Sequence, residues 1–299
     1  MPHKPVLLQE TLECLNLRPA SIAVDGTLGS GGHATEILKR IGETGRLLGL
    51  DQDPASIQSA REIFEGYSNV SLHAENFSDF EKVLDALNIS SVDAVLLDVG
   101  FSSDQIEDAD RGFSFERPGP LDMRMNPKIN FTAADLVNTL SEKELKDLFW
   151  RYGNERWSGR IAASLCRQRS TRRIETTQDL AGIIEKALPY RGRYASSGKK
   201  RPHPATRVFQ ALRIAVNDEL NVLQESLPRI WKRIAKGGRF AVLSFHSLED
   251  RIVKGQFRSW RQNKEGLPTT KKPITPSLEE RQNNPRSRSA KLRAIEKIV

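Results

Sequence analysis

Three carboxylates in the first hundred residues each follow an apolar run. Asp25 follows Ile22-Ala23-Val24, Asp51 follows Leu47-Leu48-Gly49-Leu50, and Asp98 follows Val95-Leu96-Leu97. Between the first two lies the turn Gly26-Thr27-Leu28-Gly29-Ser30-Gly31-Gly32-His33, with four glycines within seven residues. Glycines at such a place let the main chain turn tightly and let a ligand approach without meeting a Cβ. Asp51 stands about 20 residues beyond the turn, the spacing at which an acid reaches a ribose diol. Together these residues point to an adenosine-containing ligand. In the dinucleotide fingerprint G-x-G-x-x-G, the pyrophosphate sits on a helix N-terminus. Here Asp25 closes the strand, where it would repel a pyrophosphate but suits the ammonium-bearing end of S-adenosylmethionine. The order therefore favours a methyl donor over a nicotinamide, and a nicotinamide oxidoreductase remains the competing class.

The elements that must hold these residues are legible from periodicity. Residues 22–24 read as a buried strand, and Ile37, Leu38 and Ile41 then resume at helical spacing. Residues 46–50 give a second strand, and residues 54–64 a helix through Ile57, Ala60, Ile63 and Phe64. Residues 70–77 give a third strand, and Phe80, Val83, Leu84 and Leu87 mark a third helix before the strand of residues 92–98. A lead-in over residues 3–17 carries a short amphipathic helix. This alternation predicts an α/β domain on a parallel sheet. Ligands of such sheets bind at the C-terminal ends of the strands. Asp25, Asp51, Asn76 with Phe77, and Asp98 are thus expected to line one crevice.

The alternation stops at residue 104. Thr132, followed by Ala133, Leu136, Val137 and Leu140, reads as a capped helix, and Ser141 with Glu144 is a capping box for the next. Helices are also expected around residues 161–166 and 180–188, so residues 104–206 read as an inserted, mainly helical substrate-recognition domain. It is rich in cations: Arg167, Arg169, Arg172 and Arg173, then Arg191, Arg193, Lys199, Lys200 and Arg201 with Tyr190 and Tyr194 interleaved. These could form a solvated face, or a surface that tracks phosphates and stacks bases. A long helix is expected over residues 207–223, and a second ends at the glycine stop Gly237-Gly238. Residues 239–246 then form a fifth strand. The sheet domain is thus expected over residues 1–103 and 207–299. The tail 263–288 reads as partly irregular, with an antiparallel strand closing the chain over residues 291–299.

Composition bounds the classes. A chain of 299 residues with 38% hydrophobic and 28% charged residues fits a soluble globular protein. A net charge of +8 suggests an anionic partner, nucleic acid first. Cys14 and Cys166 lie far apart without a Cys/His cluster, which points to reduced thiols in the cytoplasm and to no metal site. No membrane association is expected, because no apolar run reaches spanning length and the first ten residues lack a signal-peptide core.

Six stretches carry a family likeness. They are residues 25–33 with the glycine turn, Leu96-Leu97-Asp98-Val99-Gly100-Phe101-Ser102-Ser103, and Arg111-Gly112-Phe113-Ser114-Phe115. The others are Gly119-Pro120-Leu121-Asp122-Met123-Arg124-Met125, His203-Pro204-Ala205-Thr206-Arg207, and Ser244-Phe245-His246-Ser247-Leu248-Glu249-Asp250-Arg251. In this order they resemble the bacterial ribosomal RNA small-subunit cytosine-N4 methyltransferases (the MraW family, methyltransferase H type), from His3 to Arg288. The resemblance implies a class I, Rossmann-like S-adenosylmethionine-dependent methyltransferase sheet with an inserted helical domain. It implies methylation of the exocyclic N4 of a decoding-centre cytosine in 16S rRNA, within the small ribosomal subunit, by a monomer or homodimer. It also implies donor contacts from Gly31, Gly32, His33, Asp51, Phe77, Asp98 and Gln105.

The chemistry adds its own constraint. The lone pair of cytosine N4 is delocalised into the ring, so the amine must be oriented in line with the methyl group and must lose a proton as the bond forms. No covalent intermediate is needed. Methylation at cytosine C5 requires an attacking thiolate instead, and both cysteines sit in helical patterns away from the strand ends. Asp98 is the first candidate to hold the amine or the donor, followed by Ser102, Ser103 and His246. The cytosine is expected to leave its stack to reach them. Action on another RNA base, or a non-catalytic RNA-binding assembly role on the same fold, remains the alternative.

Overall fold

A computed structural model describes residues 5–100, 102–189 and 203–299. The chain divides into two units, Met1–Ser102 with Leu220–Val299, and Ser103–Glu219. The first unit is built on a seven-stranded sheet. In chain order its elements are α1 (Leu8–Leu15), β1 (Ile22–Asp25), α2 (Gly32–Ile41), β2 (Arg46–Leu50), α3 (Pro54–Ile63), β3 (Val70–His73), α4 (Phe80–Ala86) and β4 (Val92–Asp98). The second unit holds α5 (Ser103–Glu107), α6 (Ala133–Thr139), α7 (Glu142–Gly153), α8 (Ser158–Arg169), α9 (Thr177–Ala187) and α10 (Thr206–Asn217). The sheet unit resumes in α11 (Glu219–Lys232) and continues through β5 (Ile234–Ser244), α12 (Ser247–Gln262), β6 (Gly266–Pro268), α13 (Leu278–Asn283) and β7 (Lys291–Lys297).

Strand order is β3-β2-β1-β4-β5-β7-β6. The first five strands are mutually parallel, and β7 runs antiparallel to both β5 and β6. Alternation along each strand divides its residues between two cores. Ala23, Leu47, Ala94, Leu96, Ala241 and Leu292 face one core with α1, α2 and α3. Val24, Leu48, Val95, Leu97, Val242 and Ile295 face the other with α4, α11 and α12. Covering both faces leaves β1, β2 and β4 almost wholly apolar, which is why they were visible as runs. The closing strand follows the same rule. Leu292 and Ala294 enter one core and Ile295 the other, while Glu296 sits opposite Arg239 and pairs with it at 2.6 Å.

Three expectations are corrected. The helix expected over residues 207–223 is two helices, broken at Asp218, whose φ of 49° is left-handed. The boundary moves with that break. The α10 residues Val208, Phe209, Leu212 and Val216 are buried in the helical unit's own core with Leu145, Phe149 and Ile161, so the sheet unit resumes at Leu220 rather than at residue 207. The pair Gly237-Gly238 is not a helix stop. It lies inside β5, where the register against β4 slips between Val92 opposite Ile234 and Ala94 opposite Arg239. The extra residues form a bulge, which glycine tolerates.

Candidate active site

The turn after β1 is shaped by hydrogen bonds from its neighbours. Gly29 and Gly31 have φ of +51° and +72°, a region costly for any residue with a Cβ. Gly31 serves as the N-cap of α2. Gly32 is glycine for a different reason: a Cβ there would stand 2.5 Å from Pro5 Cγ. The N-terminal segment therefore packs directly on the turn, and His33 fastens it through a 3.1 Å bond from Nε2 to the Val6 carbonyl. A carbonyl only accepts, so Nε2 carries the proton and, in the neutral ring, Nδ1 is left as an acceptor. That Nδ1 lies 3.5 Å from Asp98 Oδ2.

Asp51 closes the turn from the second strand. Its Oδ2 accepts the Gly29 N–H and its Oδ1 the Asp53 N–H, both at 2.8 Å. Asp53 in turn caps α3 through the Ala55 N–H. From the third strand, the Asn76 side chain donates to Gln52 Oε1 at 2.8 Å and accepts the Ser78 N–H, which fixes the short 3-10 turn that begins at Phe77. Phe77 is partly buried, its Cβ 3.3 Å from where a Gly26 Cβ would stand.

Asp25, expected to face the ligand, is 1% exposed and accepts the Thr27 N–H at 3.1 Å. It braces the turn from beneath. Burial, opposed by the Thr27 hydrogen bond and aided by the Asp51 charge, pushes its carboxyl up to about 7. The Asp98 N–H donates to the Thr27 hydroxyl oxygen. Burial, then the charges of Asp25 and Glu249, push its carboxyl up to about 8. The Asp98 side chain keeps 23% of its surface accessible, so this desolvation comes from surrounding walls rather than from full enclosure. Among the described residues neither Asp25 nor Asp98 has an Arg or Lys ion-pair partner.

Ser102 lies beside the glycine turn, its Cβ 3.8 Å from where a Gly29 Cβ would be. Ser103 opens α5, and its side chain falls outside the described residues. His246 ends up as the N-cap of α12 in a capping box with Glu249. Its Nδ1 faces the Glu249 N–H at 3.4 Å, its Nε2 is 3.0 Å from Glu249 Oε1, and Glu249 Oε2 accepts the Phe245 and His246 N–H groups. Both ring nitrogens are thus turned to Glu249, an arrangement that starts a helix.

A model of the MraW methylase family matches residues 1–298. The chain belongs to that family. The protein of Coprothermobacter proteolyticus named Ribosomal RNA small subunit methyltransferase H is 46% identical over 297 residues, 99% of this chain and 96% of that protein. A Halothermothrix orenii protein of the same name is 42% identical over 314 residues, 100% and 99% of the two chains. A solved structure of a methyltransferase from Streptococcus mutans in complex with SAH covers 100% of both chains at 13% identity and a TM-score of 0.46, too distant to carry an argument. The MraW methylases are S-adenosylmethionine-dependent. Asp51 and Asp98 stand at the C-terminal ends of β2 and β4, beside a turn whose backbone conformation demands glycine.

The helical unit of the methylase contains the remaining expected residues. Gln105 is buried on α5 at 6% exposure. The stretch 119–125 is held by its own charges: Arg124 grips Asp122 at 2.7 and 2.8 Å, and Arg111 donates to the carbonyls of Arg124 and Met125. Asn217, which no motif signalled, locks the same loop. Its Oδ1 accepts the Met125 N–H at 2.7 Å and its Nδ2 donates to the Met123 carbonyl at 2.8 Å. Of the first basic run, Arg169 donates to the Val137 carbonyl, Arg173 pairs with Asp135 at 2.8 Å, and Arg172 lies 3.9 Å from Asp179. Arg167 is exposed. Tyr190, Arg191, Arg193, Tyr194, Lys199, Lys200 and Arg201 lie outside the described residues. Cys14 is buried in α1 with its thiol pushed up by desolvation, and Cys166 lies on α8 in the helical unit, so neither stands at a strand end.

Proposed function

We propose that this methylase transfers a methyl group from S-adenosylmethionine to the exocyclic N4 of a decoding-centre cytosine in 16S rRNA, acting on the small ribosomal subunit in the cytoplasm. The observation that carries the proposal is whole-length identity of 42–46% to proteins named for small-subunit ribosomal RNA methylation. The strand-edge chemistry supports the reaction type. When bound, the donor supplies an electrophilic methyl on a sulfonium. Gly31, Gly32 and His33 hold the turn against it, Asp51 takes the ribose hydroxyls, and Phe77 belongs to the same donor set.

Asp98 is assigned the amine. Ionised, its carboxylate accepts a hydrogen bond from N4–H and orients the lone pair toward the methyl carbon. As the new N–C bond forms and the S–C bond breaks, N4 sheds one proton. Asp98, with a carboxyl pushed up to about 8, is matched to receiving it near neutral pH. His33 Nδ1, 3.5 Å away, is positioned to share that proton. Ser102, beside the glycine turn, is a candidate to position the base. His246 is assigned to shaping the start of α12. The helical unit 103–219 is assigned to substrate recognition.

The test is transfer from labelled donor to small subunits lacking the modification, followed by digestion to nucleosides and mass spectrometry. N4-methylcytidine is expected, with Asp98→Asn lowering kcat while donor binding persists. Label on a different base, or none despite bound donor, overturns the proposal.

A further inference from the structure

The helical unit carries a second site-like feature, wholly within α7, α8 and their connection. An open cavity of about 470 Å³ is lined by Lys146, Asp147, Trp150, Arg156, Trp157 and Arg160, with the backbone turn at Ser158 and Gly159. That volume lies in the range of small-ligand sites, ~300–1,000 Å³. The pattern of α7 explains why the cavity has an aromatic wall. Leu145, Phe149 and Gly153 are buried at helical spacing, which turns Lys146 and Trp150 outward. Trp150 is left 55% exposed, whereas Trp231 and Trp260 are at 4%. Across the cavity the Arg156 and Arg160 guanidinium carbons lie 5.0 and 5.4 Å from the Trp157 ring centroid. Stacking fixes each guanidinium plane while its N–H edges can still meet a phosphate. Lys146, Arg156 and Arg160 outnumber Asp147, and none of the four forms an ion pair among the described residues.

We infer that this cavity holds one nucleotide of the RNA substrate away from the reacting base, its base stacked on Trp150 and its phosphates met by Arg156, Arg160 and Lys146. The inference rests on the RNA-methylation reading above and names a surface for it. Charge excess selects an anion, and the exposed indole selects one with a π-face. A single-stranded nucleotide offers both, since every base can stack regardless of sequence.

The test is fluorescence anisotropy with a short labelled single-stranded oligoribonucleotide, with donor binding measured by calorimetry on the same preparations. Trp150→Ala should weaken RNA binding about tenfold, whereas Trp150→Phe should keep it within about threefold, because stacking needs only an aromatic face. Arg156→Gln combined with Arg160→Gln should lower the slope of log affinity against log salt by about 1.4, the loss of two single-strand phosphate contacts. Thermal melts check that the variants fold, and donor affinity should not change in any of them. RNA affinity and slope equal to wild type in Trp150→Ala and in the double arginine variant overturn the inference. So does equal competition by polyglutamate, which has charge without bases and would indicate an acidic protein partner. A wild-type protein that binds RNA through Trp150 yet methylates no ribosomal subunit would instead sink the functional proposal and leave the cavity assignment standing.

Discussion

Replacing Asp51 separates a structural clamp from a ligand contact. The carboxylate receives two backbone N–H groups at 2.8 Å, from Gly29 and Asp53. Hydrogen bonds to a charged acceptor contribute about 1.5–3 kcal/mol each, and at this half-buried position water offsets part of their loss. Asp51→Ala should therefore cost about 2 kcal/mol, a fall in Tm of roughly 4–8 °C. Asp51→Asn keeps one acceptor oxygen and turns an NH2 toward the other N–H, so it should also destabilise, through a clash of donors. If Asp51 also takes the ribose hydroxyls, the folded Ala variant should bind S-adenosylmethionine about 10- to 100-fold more weakly, the equivalent of one or two charged hydrogen bonds. Differential scanning calorimetry and titration calorimetry on one preparation give both numbers. A Tm within about 1 °C of wild type would refute the clamp. Donor affinity within about threefold, with the Tm lowered, would leave the clamp and remove Asp51 from the donor set.

Two further outcomes follow from the same region. Asp25 and Asp98 have carboxyls raised to about 7 and about 8 in the fold, so between roughly pH 4 and pH 8 the folded chain holds protons that the unfolded chain has released. Stability in the absence of donor should fall as pH rises through that window, by up to about 4 kcal/mol for Asp25 alone, and Asp25→Asn should flatten the slope; urea melts showing no fall, or an unchanged slope in the variant, contradict this. Gly32→Ala places a Cβ 2.5 Å from Pro5 Cγ, so the N-terminal segment must shift and the His33–Val6 bond must stretch; a loss of about 1–3 kcal/mol in urea melts is expected, and a neutral effect would show that the segment does not pack there.

The sheet was legible because its strands are covered on both faces and so read as apolar runs ending in carboxylates. The cap at Thr132 and the capping box at Ser141 were legible because the cap is local: hydroxyl and carboxylate three residues apart satisfy each other, as Thr132 also does with Asp135. What failed was set by distant partners. Gly237-Gly238 looks like a helix stop over a short window, yet pairing with β4 draws those residues into a strand. The break between α10 and α11 had a signal in Asn217-Asp218, residues that tolerate left-handed backbone, but continuous apolar spacing across it masked the break. Asn217 itself could not be found by pattern, because its role lies in bonds to Met123 and Met125 more than ninety residues earlier. The glycines were read as room for a ligand. Gly29 and Gly31 are required by their left-handed φ, whereas Gly26 and Gly32 are small to admit Leu97 and Pro5.

The candidate site itself was legible as residue types but not as roles. Asp25 and His246 both stand at strand ends, where a ligand would be expected, and both are consumed by architecture: one beneath the glycine turn, the other at the head of α12. Their work leaves Asp51 and Asp98 as the carboxylates with surface for chemistry. The braces also set the electrostatics. Burial raises the carboxyl of Asp98 most, and the charges of Asp25 and Glu249, themselves buried at 1% and 2% exposure, add to it, so the residues that build the edge also tune its acid. Among the described residues no Lys or Arg pairs with Asp98 to offset that repulsion. That repulsion favours the protonated carboxyl, the property proposed above for the group that takes the N4 proton.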